Sequence, residues 1–212
     1  MRRIPLNDLD PWFQTVDGVI ERDGRIDGAR LFANDRPLEI DVGCGRGLFV
    51  FSASGARPNT NFLGIELDYK EARRAAKRLQ KRAAGNARIL GGDVFRAFEH
   101  IAPGSVEAIH VYFPDPWWKR RHRRRRVFTD RFADACAELI RPGGMLHSWT
   151  DVEEYFEVIR SLMDHHARFE ALPPPEERPA ENDMDYHTSF ERKKRKLGMP
   201  IYRGQWRRRA DV

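Results

Sequence analysis

Asp115 stands between two prolines in the stretch FPDPWWKRRHRRRR, residues 113–126. A residue that precedes proline is pushed out of the helical region, so Phe113 and Asp115 are both restricted and the carboxylate is presented in a nearly fixed direction. Two tryptophans follow, and residues 117–126 hold seven Lys or Arg. A fixed carboxylate beside aromatic rings and dense positive charge is what handling a nucleobase on a polyanion requires. The plainer reading is a proline turn running into a solvated basic helix start. The residues upstream weigh against it.

Those residues are LEIDVGCGRGLFV, 38–50, where Gly43, Gly45 and Gly47 follow an apolar run and open a helical pattern. Glycines at such a place let the chain turn sharply and let a ligand approach backbone N–H groups at a helix start. The spacing is not the dinucleotide fingerprint GxGxxG, because only Arg46 separates the second and third glycines. Preceded by Asp41, the GxGxG form resembles the first motif of class I S-adenosylmethionine-dependent methyltransferases. Two further acids support a cofactor site. Glu66, in GIELD, is placed to accept from both hydroxyls of a ribose, and Asp93, in GGDV, from the amine of an adenine. Asp41 then falls to the cationic methionine end. Any one of these acids is explained as a helix cap; three after three successive strands are not.

The elements that must position them alternate. Apolar runs at 38–42, 61–67, 87–93, 106–113 and 145–150 have strand length, with helical patterns at 47–56, 69–84, 95–101, 127–141 and 152–166 between them. This alternation predicts an α/β fold: an open, mostly parallel, doubly wound sheet with helices on both faces, Rossmann-like. Such sheets bind ligands beyond the carboxyl ends of their strands, where the residues above fall. RPGG at 141–144 reads as a turn into the fifth strand, and PIYRGQW near the end as an antiparallel terminal edge strand. Residues 1–36 are expected to be a partly irregular leader and 37–212 a single catalytic domain. PPPEERPAENDMD, 173–185, reads as a flexible loop.

The balance of 38 Lys+Arg over 32 Asp+Glu leaves +6, with a pI near 9.6. That favours an acidic partner, nucleic acid first. Basic residues cluster at 119–126, 192–196 and 203–209, and the stripe Arg73, Arg74, Lys77, Arg78, Lys81, Arg82 reads first as a solvated helix face. A mean hydropathy of -0.68 without a long apolar run excludes a membrane span, and the first residues do not form a secretory signal. Two cysteines, Cys44 in the glycine loop and Cys136 in a helix core, fit a reducing cytoplasm and are too few for a structural zinc site. No metal and no stable protein partner is expected.

FPDPWWKRRHRRRR, together with Thr150–Asp151 and TSFERKKRKLGMPIYR at 188–203, resembles the bacterial tRNA (guanine-N7)-methyltransferases, over residues 38–206. The resemblance implies S-adenosylmethionine as cofactor, tRNA as partner, and methyl transfer to N7 of a guanine in the tRNA variable loop. It carries cofactor binding onto Asp41, Gly43, Gly45, Gly47, Glu66 and Asp93. Asp115 becomes the catalytic acid, and Asp115, Lys119, Asp151, Thr188, Ser189, Phe190 and Glu191 become substrate contacts. Arg120, Arg121, Arg123 and Arg124 are expected on phosphates, positioning the RNA without specifying sequence. Trp118 stands where the family usually has proline or histidine, and the leader does not match the family's basic N-terminal stretch.

The chemistry runs parallel. Guanine N7 has an in-plane lone pair and no proton, so in-line attack on the methyl needs alignment more than a base. A carboxylate near the purine stabilises its developing positive charge and accepts from the guanine imino and amino donors together, a pair that adenine lacks. Asp115, Asp151 and Glu191 are all candidates for that second role. The alternatives are a methyltransferase for another RNA or DNA base, and an inactive tRNA-binding protein. A nicotinamide dehydrogenase fails on glycine spacing.

Overall fold

A computed structural model describes residues 6–176, 186 and 188–210. The chain forms two compact units that part between Ala102 and Pro103.

The first unit begins with a single 3-10 turn, Leu6–Leu9, and continues through β1 (Phe13–Thr15), α1 (Val16–Asp23) and α2 (Gly28–Phe32). It then alternates β2 (Leu38–Val42), α3 (Leu48–Ala56), β3 (Asn61–Glu66), α4 (Tyr69–Lys81), β4 (Ala87–Gly91) and α5 (Val94–Phe98). Its strands lie in the order β1, β4, β3, β2, all parallel. All five β2 residues are buried, as expected of a parallel strand covered on both faces. On α4, Ala72, Ala75, Ala76 and Leu79 recur at helical spacing and are the buried face. The helix starts where Asp68 accepts hydrogen bonds from the N–H groups of Lys70 and Glu71.

The leader corrects the expectation for 1–36. From Leu6 onward it is folded, and β1 adds a strand beside β4 in register Phe13–Ile89. Burial of Leu9, Phe13, Val16 and Val19 drives this. The Trp12 indole N–H also donates to the Ala84 carbonyl at 2.8 Å.

The second unit contains β5 (Val106–Tyr112), a 3-10 turn (Arg120–Arg125), α6 (Asp130–Leu139), β6 (Ile140–Thr150), α7 (Glu153–Asp164), β7 (Phe169–Leu172), α8 (Ser189–Lys196) and β8 (Tyr202–Arg208). The order is β5, β6, β8, β7; β5 and β6 are parallel, and β8 is antiparallel to both its neighbours. The terminal strand is antiparallel as expected, while the edge outside it belongs to β7, which the sequence pattern did not mark. RPGG lies within β6 as a break in register: Val106 faces Ile140, and Ala108 already faces Met145. Arg141 closes that bulge on Glu107 with two bonds of 2.6 Å. Trp206 of β8 is buried and its indole N–H donates to Asp164 at the end of α7, 2.7 Å away.

Of the acidic loop expected at 173–185, residues 177–185 lie outside the described ones. Among the described residues no helix is long and apolar enough to cross a membrane.

Candidate functional site

The glycine loop after β2 takes the conformation its composition allows. Gly43, Gly45 and Gly47 have φ of 69°, 52° and 65°, the left-handed region where a side chain is strained. A Cβ at Gly43 or Gly45 would meet nothing within 4 Å, so these two leave open space above the backbone. A Cβ at Gly47 would instead lie 2.7 Å from the Ala75 Cβ, so this glycine lets the loop pack on α4. Gly47 is the N-cap of α3 and offers no side-chain acceptor to the first turn. The start of α3 therefore suits an anionic ligand group.

Glu66 ties the surrounding loops together. Its carboxylate accepts from the Gly45 N–H at 2.8 Å and from the Asp68 N–H at 2.8 Å, while its main-chain carbonyl accepts from the Gly92 N–H at 2.9 Å. One residue thus joins the turns that follow β2, β3 and β4. Asp41 lies on β2 opposite Gly64 of β3, and so on the same face as Glu66 two residues on. It is 5% exposed, and burial, with the nearby Glu66 charge, pushes its carboxyl well above the usual range. A buried acid of this kind is relieved by a cation.

Asp93 departs from expectation. β4 ends at Gly91, and Asp93 is the exposed N-cap of α5, accepting from the Arg96 N–H at 2.9 Å. Its carboxylate has acceptor capacity left for a second donor. Just past the end of β3, Leu67 is 68% exposed, an apolar surface next to Glu66 in the chain. Open glycines, a helix start without a side-chain cap, a buried acid and acceptors at Glu66 and Asp93 fit the carboxylate, cationic centres, ribose and adenine of S-adenosylmethionine.

In the second unit, β5 runs into the Asp115 loop through an unusual backbone. Phe113 has φ of 54° and Trp117 of 43°, so two non-glycine residues flank the Pro-Asp-Pro core in the left-handed region. Several contacts hold this conformation. The Phe113 N–H donates to the Trp149 carbonyl at 2.7 Å, and the Arg126 Nε–H donates to the Pro116 carbonyl at 2.7 Å. Trp117 is half-buried, with the Arg125 guanidinium 5.0 Å from its ring and His122 edge-on at 5.7 Å. Arg125 and Arg126 therefore serve the loop itself. The Asp115 carboxylate is left exposed.

Helix α8 brings other expected residues to this loop. Phe190, 62% exposed, stacks on Phe113 at 6.3 Å with 21° between the rings. Thr188 caps the helix, its hydroxyl accepting from the Glu191 N–H at 2.9 Å, half of a capping box. Glu191 is 1% exposed, with Arg195 Nη1 3.4 Å from its carboxylate. Asp151 pairs with Lys194 at 2.7 Å, which fastens the end of β6 to α8. Lys194 was hidden from sequence reasoning among five consecutive basic residues. Tyr155 on α7 lies beneath, with Arg126 4.8 Å over its ring. Its hydroxyl is pushed up to about 12, chiefly by burial, with the Asp115 charge adding to the rise and Arg126 opposing it.

Lys119 and Arg121 are exposed, the latter donating to the His122 ring at 3.2 Å. The side chains of Arg120, Arg123, Arg124 and Ser189 lie outside the described ones. The stripe on α4 is less free than expected. Arg73 lies over Phe13, Arg78 and Arg82 over Phe51, and Arg74 pairs with Glu71. Arg82 also donates to the Phe51 carbonyl at 2.7 Å and the Ser54 hydroxyl at 2.6 Å.

Comparison with known proteins identifies the family. The family described as "Putative methyltransferase" matches residues 35–204. The chain is similar to the tRNA (guanine-N(7)-)-methyltransferase of Rhodopirellula baltica, at 44% identity over 97% of this chain and 78% of the relative. It is similar also to that of Halorhodospira halophila, at 32% identity over 92% of this chain and 82% of the relative. Among solved structures, the antibiotic-resistance methyltransferase Kmr aligns over 88% of this chain and 95% of its own, with a TM-score of 0.55 and 16% identity. That likeness shows the fold to be the one shared by class I methyltransferases. The chain belongs to the bacterial tRNA (guanine-N7)-methyltransferase family.

Proposed function

We propose that the chain transfers a methyl group from S-adenosylmethionine to N7 of a guanine in the tRNA variable loop. The observation that carries the reading is the exposed Asp115 carboxylate, held on a doubly constrained loop with Phe190 and the Asp151-bearing end of β6 beside it. Family membership supports the activity and the tRNA substrate. Acting on tRNA places the chain in the cytoplasm.

When bound, S-adenosylmethionine supplies an electrophilic methyl on a sulfonium. The chain's own residues bind and orient. Asp41 faces the cationic end, the α3 start receives the carboxylate, Glu66 takes the ribose hydroxyls, and Asp93 with Leu67 holds the adenine. Guanine N7 carries no proton, so no residue has to remove one. Asp115 accepts from the guanine imino and amino donors and stabilises the positive charge that builds on the purine. Holding the base rigidly is worth about 7–11 kcal/mol at best, which is why strain is tolerated at Phe113 and Trp117. Phe190 offers a ring face to the base, and Asp151 meets substrate from a position set by Lys194. Thr188 and Glu191 shape the first turn of α8, with Ser189 between them. Lys119 and Arg121, with Arg120, Arg123 and Arg124, hold phosphates.

The test is incubation of the purified protein with S-adenosylmethionine and an unmodified tRNA transcript, then borohydride reduction and aniline scission, which cut RNA at 7-methylguanosine. Cleavage at one variable-loop guanine is expected. Cleavage elsewhere, or methylated tRNA resistant to scission, overturns the assignment.

A further inference from the structure

Trp118 has no explanation in the packing of the fold. Of the five tryptophans it alone is exposed, at 56%, while the other four are buried or half-buried. An exposed indole offers a flat face on which a nucleobase can stack, and this one lies three residues along a constrained loop from Asp115.

The backbone beneath it is fixed. Trp117 is held at φ of 43° with its ring between Arg125 and His122, and Arg126 fastens the Pro116 carbonyl. The indole therefore projects from a pre-ordered support, and ordering it on binding costs little. Lys119 and Arg121, next along the chain, are exposed cations suited to phosphates. An aromatic face among such cations is the arrangement by which proteins grip unpaired nucleotides. In the function proposed above Asp115, three residues earlier, accepts from the guanine imino and amino groups, so the base has to leave whatever pairing and stacking engages them, and displacing a base leaves an exposed stack behind.

We propose that Trp118 stacks on the tRNA base left bare when the target guanine is displaced, and so stabilises the RNA in its open form. This rests on the function proposed above. It makes Trp118 a positioning residue of this chain, at a place where the resembling family usually carries proline or histidine.

The test compares the parent protein with Trp118→Ala and Trp118→Phe on two transcripts. One is the folded tRNA; in the other the base that stacks against the target guanine is replaced by an abasic site. Trp118→Ala is expected to lower kcat/KM on the folded tRNA roughly 5- to 150-fold, the range of one aromatic–base stack. On the abasic transcript the loss should shrink to about threefold or less, and Trp118→Phe should recover most of the activity on the folded tRNA. Affinity for S-adenosylmethionine, measured by calorimetry on each variant, should stay within about twofold, which reports an intact fold. The inference is overturned if Trp118→Ala matches the parent on folded tRNA, if the loss is equal on the two transcripts, or if phenylalanine does not rescue. If the parent forms no 7-methylguanosine on either transcript, the proposed function fails first.

Discussion

Glu66→Gln is the most informative single change in the first unit, because one carboxylate holds the turns after β2 and β3 together. The amide keeps one acceptor oxygen and presents an NH2 group to whichever backbone N–H, Gly45 or Asp68, loses its partner. A hydrogen bond to a charged acceptor is worth about 1.5–3 kcal/mol, and Glu66 is half-buried, so the lower end applies to each. Removing the charge relieves repulsion on the buried Asp41, which works in the opposite direction. The net loss should be about 1–2 kcal/mol. For a chain of 212 residues this lowers Tm by roughly 2–8 °C. The assay is thermal unfolding without cofactor, with calorimetric titration of S-adenosylmethionine alongside. A tenfold or greater loss of cofactor affinity is expected beyond the stability change, since the ribose acceptor is gone as well. An unchanged Tm would refute the view of Glu66 as the tie between these turns. An unchanged affinity would refute its ribose role.

Three further outcomes are expected. Burial and the Glu66 charge raise the Asp41 carboxyl in the folded chain, so its contribution to stability is fullest below the unfolded carboxylate range and is lost as pH rises through the raised value. A cationic cofactor favours the ionised form; its affinity should therefore climb over that same interval with release of a proton, read by calorimetry in buffers of different ionisation enthalpy, and a pH-independent affinity without proton release would contradict this. Arg126→Ala should free the Pro116 carbonyl and uncover the Tyr155 ring, lowering kcat about tenfold with tRNA affinity little changed; a variant as active as the parent would show the loop is rigid without it. Arg121→Ala should weaken tRNA binding modestly and reduce the slope of log K against log salt by about one, and an unaltered slope would remove it from the phosphate contacts.

Much of the first unit was legible from residue pattern. LEIDV and NFLGIE are apolar runs long enough to announce buried parallel strands, and GxGxG marks a turn with φ above 50° in three places, which glycine adopts without strain. β1 was not legible. It has three residues, one of them fully buried, and its partner β4 lies more than seventy positions away, so no local periodicity records it. β7 escaped for a similar reason: four residues with a single buried one, Phe169, paired to a strand that comes later in the chain. Asp93 was placed at a strand end because GGDV continues an apolar run, yet capping of α5 claims it and the strand stops at Gly91.

In the second unit, the two prolines announced that Asp115 would be rigid. They did not announce how, since left-handed Phe113 and Trp117 depend on bonds from Trp149 and Arg126 that form only in the folded unit. The basic run looked uniform in sequence. In the structure Arg126 is half-buried against Pro116 and Tyr155 and Arg125 lies over the Trp117 ring, while Lys119 and Arg121 face solvent. The pairing of Asp151 with Lys194 has no sequence signature at all.

The central claim is that Asp115 acts on the guanine and not on the cofactor. Nucleoside analysis of tRNA after reaction with the parent and with Asp115→Ala, at matched saturation with S-adenosylmethionine, tests it most directly. Formation of 7-methylguanosine by the parent, its loss by at least a hundredfold in the variant, and cofactor affinity within twofold between them are expected. A variant that still forms 7-methylguanosine at the parent's rate, or that fails only because it no longer binds cofactor, would contradict the account.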